Sequence, residues 1–133
     1  MKTVVLLYDS SCIYEIVILN YFLKVTGKDV VFVSPDGGTI TAMEGYSIHT
    51  AGALIQINPS DVELLIVPGG DITPIDKEDV WNYLRLVNQN HGLIAGICAG
   101  VDVLEHAGLL DGIDSTHSTD LDVIVCDNII TAR

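Results

Sequence analysis

Positive charge is scarce in this chain. Six Lys and Arg stand against 18 Asp and Glu, for a net charge of −12 over 133 residues. Nucleic acid and anionic membrane surfaces are bound through basic patches, so neither is expected as a partner. Long apolar runs are missing too, and none approaches the ~18 residues of a membrane span. The opening Met1-Lys-Thr-Val-Val-Leu-Leu7 is followed at once by Tyr8-Asp9-Ser10, with no small-residue cleavage site. It reads as a first strand and not as a signal peptide, which makes cytoplasmic the default address. The three cysteines, Cys12, Cys98 and Cys126, are odd in number and far apart. They form neither a disulfide framework nor a zinc site and read as free thiols in a reducing compartment. No repeat, linker or low-complexity segment breaks the sequence. With 49% hydrophobic and 18% charged residues, it reads as one folded domain over residues 1–133.

What is present centres on Gly92-Leu-Ile-Ala-Gly-Ile-Cys-Ala-Gly100. Leu93 to Ile97 reads as a buried strand running into Cys98, with a helix following from about Val101 to Ala107. A thiol at a strand-to-helix turn meets unpaired N–H groups that favour the thiolate. Ala99 and Gly100 leave room for a tight turn and a close substrate. The arrangement resembles a nucleophile elbow with Cys in place of Ser.

The remaining chain alternates strands and helices. Thr3 to Tyr8 is apolar throughout, as in a strand buried on both faces. Ile13 to Thr26 has a helical and very apolar pattern closed by Gly27. Val30 to Val33 is a strand, and Thr39 to Met43 with Tyr46 to His49 form a short hairpin about Glu44-Gly45. Ala53 to Ile57 is ambiguous. Val62 to Val67 is a buried strand ending in Pro68-Gly69-Gly70. Asp76 is the expected cap of a helix from Lys77 to Asn90, whose inner face carries Val80, Leu84 and Val87 and which Gly92 follows. Gly108 ends the helix after Cys98, and Val123–Cys126 with Asn128–Thr131 are a final pair of strands. Such alternation implies an α/β fold with a mostly parallel sheet covered on both faces. Ligands of these sheets bind beyond the carboxyl ends of the strands. Three loops leave from there, at Asp9–Glu15, Pro68–Ile72 and Cys98–Gly100, so Glu15, Gly69, Gly70 and Cys98 are expected to converge.

Each candidate also has a plainer structural explanation. Cys98 is either a reactive thiol or a small core residue. Glu15 is either an acidic residue favoured at a helix N-terminus or a partly buried carboxyl facing the thiol, where desolvation favours its protonated form. Gly69 and Gly70 make a tight turn, yet the N–H groups of Gly70 and Ala99 have the placement of an oxyanion hole. The loop lacks the Lys and Ser/Thr of a phosphate loop, which excludes a nucleotide site. His117, in Ser115-Thr-His-Ser118, is the best base or orienting group; His49, His91 and His106 read as surface residues. Cys126 reads as core. Cys12, in the same loop as Glu15, is a candidate resolving thiol for an oxidised Cys98. No metal or organic cofactor is expected.

Val62-Glu-Leu-Leu-Ile-Val-Pro-Gly-Gly70, Gly92 to Gly100 and Leu104-Glu-His-Ala-Gly-Leu-Leu-Asp-Gly112 together resemble the ThiJ/PfpI family. This family, of the class I glutamine amidotransferase-like superfamily, includes the Parkinson-associated protein deglycases. The resemblance covers nearly the whole chain. It implies a flavodoxin-like three-layer sandwich and a homodimer. It makes Cys98 the nucleophile, Glu15 its acidic partner, Gly70 and Ala99 the oxyanion positions and His117 the family's nearby histidine. Members are described as glyoxalases or deglycases acting on methylglyoxal adducts, as chaperones, proteases, isocyanide hydratases and oxidative-stress proteins. Protease-like members carry His directly after the nucleophile, where this sequence has Ala99. Hydratase-like members pair an early Asp with a Thr after the cysteine, where this sequence has Glu15 and Ala99. The glyoxalase or deglycase branch remains. Members usually continue past the equivalent of Ile129–Arg133 into a long helix that covers the sheet. That helix is expected to be lacking here, either because the chain is a truncated product or because a partner covers the exposed face.

Two readings follow. One is an enzyme in which Cys98 attacks a small carbonyl substrate, Glu15 moves protons and Gly70 with Ala99 holds the oxyanion. The other is a non-enzymatic oxidative-stress sensor or chaperone-like module with an oxidisable Cys98.

Overall fold

The computed structural model describes residues 1–133. A six-stranded sheet, ordered β2-β1-β5-β6-β8-β7, forms the middle layer. Its strands are β1 (Lys2–Leu6), β2 (Val30–Val33), β5 (Val62–Val67), β6 (Leu93–Ile97), β7 (Val123–Cys126) and β8 (Ile129–Ala132). All neighbouring pairs are parallel except β7 with β8, which the turn at Asp127 joins as an antiparallel hairpin at the sheet's edge. A separate two-stranded hairpin, β3 (Thr39–Thr41) with β4 (Ser47–His49), stands outside the sheet. The expected mostly parallel sandwich is therefore the fold. None of its helices is long and apolar enough to cross a membrane.

The two faces of the sheet are unequally covered. On one, α2 (Glu78–Gln89) and α3 (Gly100–His106) bury Val80, Leu84, Val87, Val101 and Leu104 against Val4, Leu6, Leu65, Val67 and Ile94. This is the main core, and the inner-face residues read from the 3.6-residue period are in it. On the other face a smaller cluster joins Val5, Leu7, Ile66 and Ala95 to Ile16, Ile40 and Ala42. Helix α1 (Val17–Val25) lies on this side but contributes no fully buried residue, and Ile18 and Phe22 are 72% and 57% exposed.

Two local expectations are corrected. The pattern from Ile13 to Thr26 is not one helix: a 3-10 turn at Ile13–Glu15 is separated from α1 by Ile16, whose φ of −121° breaks the helix. Asp76 does not cap α2. Its amide bonds back to Ile72, and Lys77 holds the cap position without a side-chain bond. The Asp76 carboxylate instead accepts from Trp81 Nε1 at 2.9 Å and pairs with His106 Nδ1 at 2.8 Å, joining α2 to α3. The ambiguous Ala53–Ile57 segment contains a 3-10 turn at Leu54–Gln56.

Candidate active site

Three strands end at the same place. β1 leads to the Asp9–Glu15 loop, β5 to Pro68-Gly69-Gly70, and β6 to Cys98. β5 lies between the other two strands, so its loop becomes the hub on which both neighbours are fixed.

Cys98 is exposed and has φ +52°, a left-handed conformation that a non-glycine residue rarely holds. Its amide donates to Ala132 O at 2.8 Å, and its carbonyl accepts the Val101 amide at 3.1 Å. The elbow is thus fastened to β8 on one side and to the first turn of α3 on the other. Gly100 is required by packing, because a Cβ there would run into the carbonyl of Val67 at the end of β5.

Gly69 holds the site together. Its N–H donates to Glu15 Oε1 at 2.7 Å, and its carbonyl accepts from the Cys12 amide at 2.8 Å. A Cβ on Gly69 would lie 3.0 Å from Ala99 N, 3.0 Å from Glu15 Oε1 and 3.0 Å from Ile97 O. The Glu15 carboxylate and the backbone that follows Cys98 therefore both close on Gly69. Gly70, at φ +132°, passes so close to the backbone of Ser10 that no side chain fits there. Neither the Gly70 nor the Ala99 amide donates a hydrogen bond within the protein. Two free N–H groups beside an exposed thiol and a carboxylate can receive an oxygen on which negative charge develops.

Negative charge accumulates around this point. Burial, and then the charges of Glu15, Cys12, Asp71 and Cys98, push the Tyr8 phenol well above its ordinary range. Burial likewise raises the Cys12 thiol, with Glu15, Glu44 and Cys98 adding to it and a hydrogen bond from Tyr14 opposing. Cys12 is buried, and its Sγ faces Met43 Sδ at 3.5 Å. It shares the Cys98 cluster but packs against the hairpin. Cys126, read as core, is half-buried on β7.

His117 is placed differently from the others. Its Nε2 lies 3.0 Å from Asp102 Oδ1 and its Nδ1 lies 3.0 Å from Glu105 Oε2. Both ring nitrogens face carboxylates of α3, which leaves neither for Cys98. Asp102 and Glu105 are three apart on one helix face, so they form a fork that the ring enters. Asp102, Glu105 and His117 bring metal-ligating atoms within 4.8 Å of one another, with the ring lying between the two carboxylates.

Sequence reasoning missed Glu44, Asp102 and Glu105. Asp102 and Glu105 had a local signal in their i, i+3 spacing. Glu44 had none, because its partners are 30 and 31 residues away.

A match to the DJ-1/PfpI family spans residues 1–133. A deglycase of Pyrococcus abyssi is 27% identical over 115 residues, which are 84% of this chain and 69% of that protein. A deglycase of Pyrococcus horikoshii is 30% identical over 100 residues, 74% of this chain and 60% of its own length. Among solved structures, Drosophila melanogaster DJ-1beta superposes with a TM-score of 0.83 at 24% identity, covering 100% of this chain and 82% of its own. That likeness establishes the fold. The sheet order, the glycine-lined hub beside Cys98 and the match over all 133 residues agree, and the chain belongs to the DJ-1/PfpI family.

Proposed function

We propose that this protein is a cysteine-dependent enzyme of glyoxalase or deglycase type, acting on small dicarbonyls or their adducts. The observation that carries the reading is the exposed Cys98 at φ +52° beside the Glu15 carboxylate, with the Gly70 and Ala99 amides unpartnered. The names of the archaeal relatives support the substrate class.

For methylglyoxal, Cys98 thiolate adds to the aldehyde carbon. The carbonyl π pair moves to oxygen, and the Gly70 and Ala99 N–H groups hold that oxyanion. Glu15 carries the C1 proton to C2, so C1 is oxidised to a thioester as C2 is reduced to an alcohol. Water then cleaves the thioester, releasing lactate and regenerating the thiol. The sum is methylglyoxal plus water to lactate, with no external oxidant and no metal or organic cofactor in the scheme. The assignment is tested by lactate release from methylglyoxal. Wild type is expected to turn over and Cys98→Ala to lose turnover at least a hundredfold; full turnover by Cys98→Ala overturns the reading.

A second reading, an oxidative-stress sensor, is favoured by the grouping of Cys98 with Cys12 and Met43. It predicts no turnover but preferential oxidation of Cys98 by peroxide. In either case a homodimer is proposed, and the exposed apolar residues of α1 support it.

A further inference from the structure

We propose that Glu44, at the tip of the β3–β4 hairpin, is a positioning residue that sets the Glu15 carboxylate against Gly69. The inference rests on the reading of Cys98 and Glu15 given above.

The hairpin belongs to neither layer of helices, and its tip folds over the loop that carries Glu15. Ser10 N–H donates to Thr41 O at 2.8 Å, Thr41 N–H to Asp9 Oδ1 at 2.9 Å, and Met43 N–H to Ser11 O at 2.9 Å. Two further bonds come from one side chain. Glu44 Oε1 accepts the Ile13 amide at 3.1 Å, and Glu44 Oε2 accepts the Tyr14 amide at 2.7 Å.

Those two amides open the 3-10 turn Ile13–Glu15. The first N–H groups of a helical turn have no partner within it. The cap position is Cys12, which supplies no side-chain hydrogen bond. Glu44 therefore provides from another part of the chain the capping that the local sequence lacks. A bidentate carboxylate fixes direction as well as position. The residue after Tyr14 is Glu15, and its Oε1 reaches the Gly69 amide at 2.7 Å. Turning the short helix by a fraction of a turn would lift that carboxylate from Gly69.

The charge state is consistent with this role. Burial would raise the Glu44 carboxyl, but the amides of Tyr14 and Ile13 outweigh it and hold it below the usual carboxylate range. Glu44 thus remains ionised in neutral solution and accepts both bonds. All its hydrogen bonds are to backbone amides, so its effect passes through Glu15.

The test uses the whole chain and two measurements. The first is amide hydrogen exchange at Gly69, which reports the Glu15 bond whether or not Cys98 is reactive. Replacing Glu44 by Gln turns one acceptor into an NH2 group facing an amide donor. E44Q is expected to speed Gly69 exchange roughly tenfold, about the worth of one charge-assisted hydrogen bond, while Leu65 and Ile94 in the core are unchanged. Met43→Ala, which keeps the carboxylate, is expected to leave Gly69 protected. The second is the pH profile of Cys98 alkylation. E44Q is expected to move it in the same direction as Glu15→Gln and to add nothing in the Glu15→Gln background. Unchanged Gly69 exchange in E44Q overturns the proposal. So does general opening of core amides, or equal loss of protection in Met43→Ala. If the wild-type profile is that of an ordinary thiol, the catalytic reading fails, and Gly69 exchange still decides the role of Glu44.

Discussion

The Tyr8 hydroxyl donates a 2.6 Å hydrogen bond to the carbonyl of Pro68, 60 residues further along the chain. The ring is fully buried, and the bond ties the end of the first strand to the turn that carries Gly69 and Gly70. The phenol thus adds a side-chain tie to the backbone bonds that fix this turn to the loop after β1.

Stability is expected to fall on the alkaline side. Burial raises the Tyr8 phenol above its ordinary value, and burial with the nearby Asp61 pushes Tyr83 up to about 12. For a group whose pKa is raised by folding, the unfolded chain loses its proton first. The stabilisation is complete below the unfolded value of ~10 and is lost as pH rises through the folded value. The urea midpoint should begin to decline above about pH 8.5, where the unfolded Cys12 thiol loses its proton first, and fall more steeply above about pH 10. Tyr8→Phe should cost about 1 kcal/mol near neutrality and show a shallower decline. An equally steep decline in Tyr8→Phe would remove Tyr8 as its source.

Gly70→Ala should destabilise the fold by at least about 2 kcal/mol, because a left-handed φ and a backbone clash act together. At φ +132°, the new methyl would have to displace Ser10. Gly45→Ala, also at positive φ but with open space around it, should cost less. Denaturant midpoints of the two variants give the comparison.

The thiols should differ in alkylation rate at neutral pH. Cys98 is exposed, Cys126 half-buried, and Cys12 buried with its thiol pushed up chiefly by that burial. The expected order is Cys98, then Cys126, then Cys12, measured by peptide mass spectrometry on native protein. Cys12 labelling first would show that the hairpin does not cover it.

Asp76→Ala should loosen α2 from α3, losing about 1–2 kcal/mol with the two bonds it accepts. Trp81 is the sole tryptophan, and its Nε1 donates to Asp76. Its fluorescence should shift before global unfolding, which makes urea titration followed by emission the measurement.

Ile18→Lys with Phe22→Lys should convert the proposed dimer to monomer in sedimentation velocity, without loss of helix content. Both side chains are more than half exposed on α1. A wild type that sediments as a monomer at high concentration would count against the dimer.

Sequence showed the strands and their order of use, because Val4–Leu6, Leu65–Val67 and Ile94 are apolar on both faces, and no other element accommodates that. It also showed which loops meet, since strand ends in a parallel sheet share one edge. It did not show the break at Ile16. The amides of Ile13 and Tyr14, in the turn before that break, bond to Glu44, and a contact across 30 residues leaves no periodic trace. The expected Asp76 cap yielded to a tertiary bond to Trp81 and His106. For His117, sequence supplied a ring near the site, while its orientation depends on Asp102 and Glu105.

The open edge at β7 has a practical side. Val123 and Val125 point outward there, 58% and 67% exposed, on a strand whose outer rim has no neighbour. Such a rim invites another copy to add on, and then another. Asp120 and Asp122 stand before it and Asp127 after it. Three like charges at the ends of a four-residue strand repel a second rim, and the chain's −12 charge adds to this at longer range. Both effects work through water and fade as the Debye length shrinks from about 10 Å at 0.1 M salt to about 3 Å at 1 M. The protein should therefore store best at low ionic strength and away from its pI of 4.3, and precipitate first under the salting-out conditions commonly used to concentrate it.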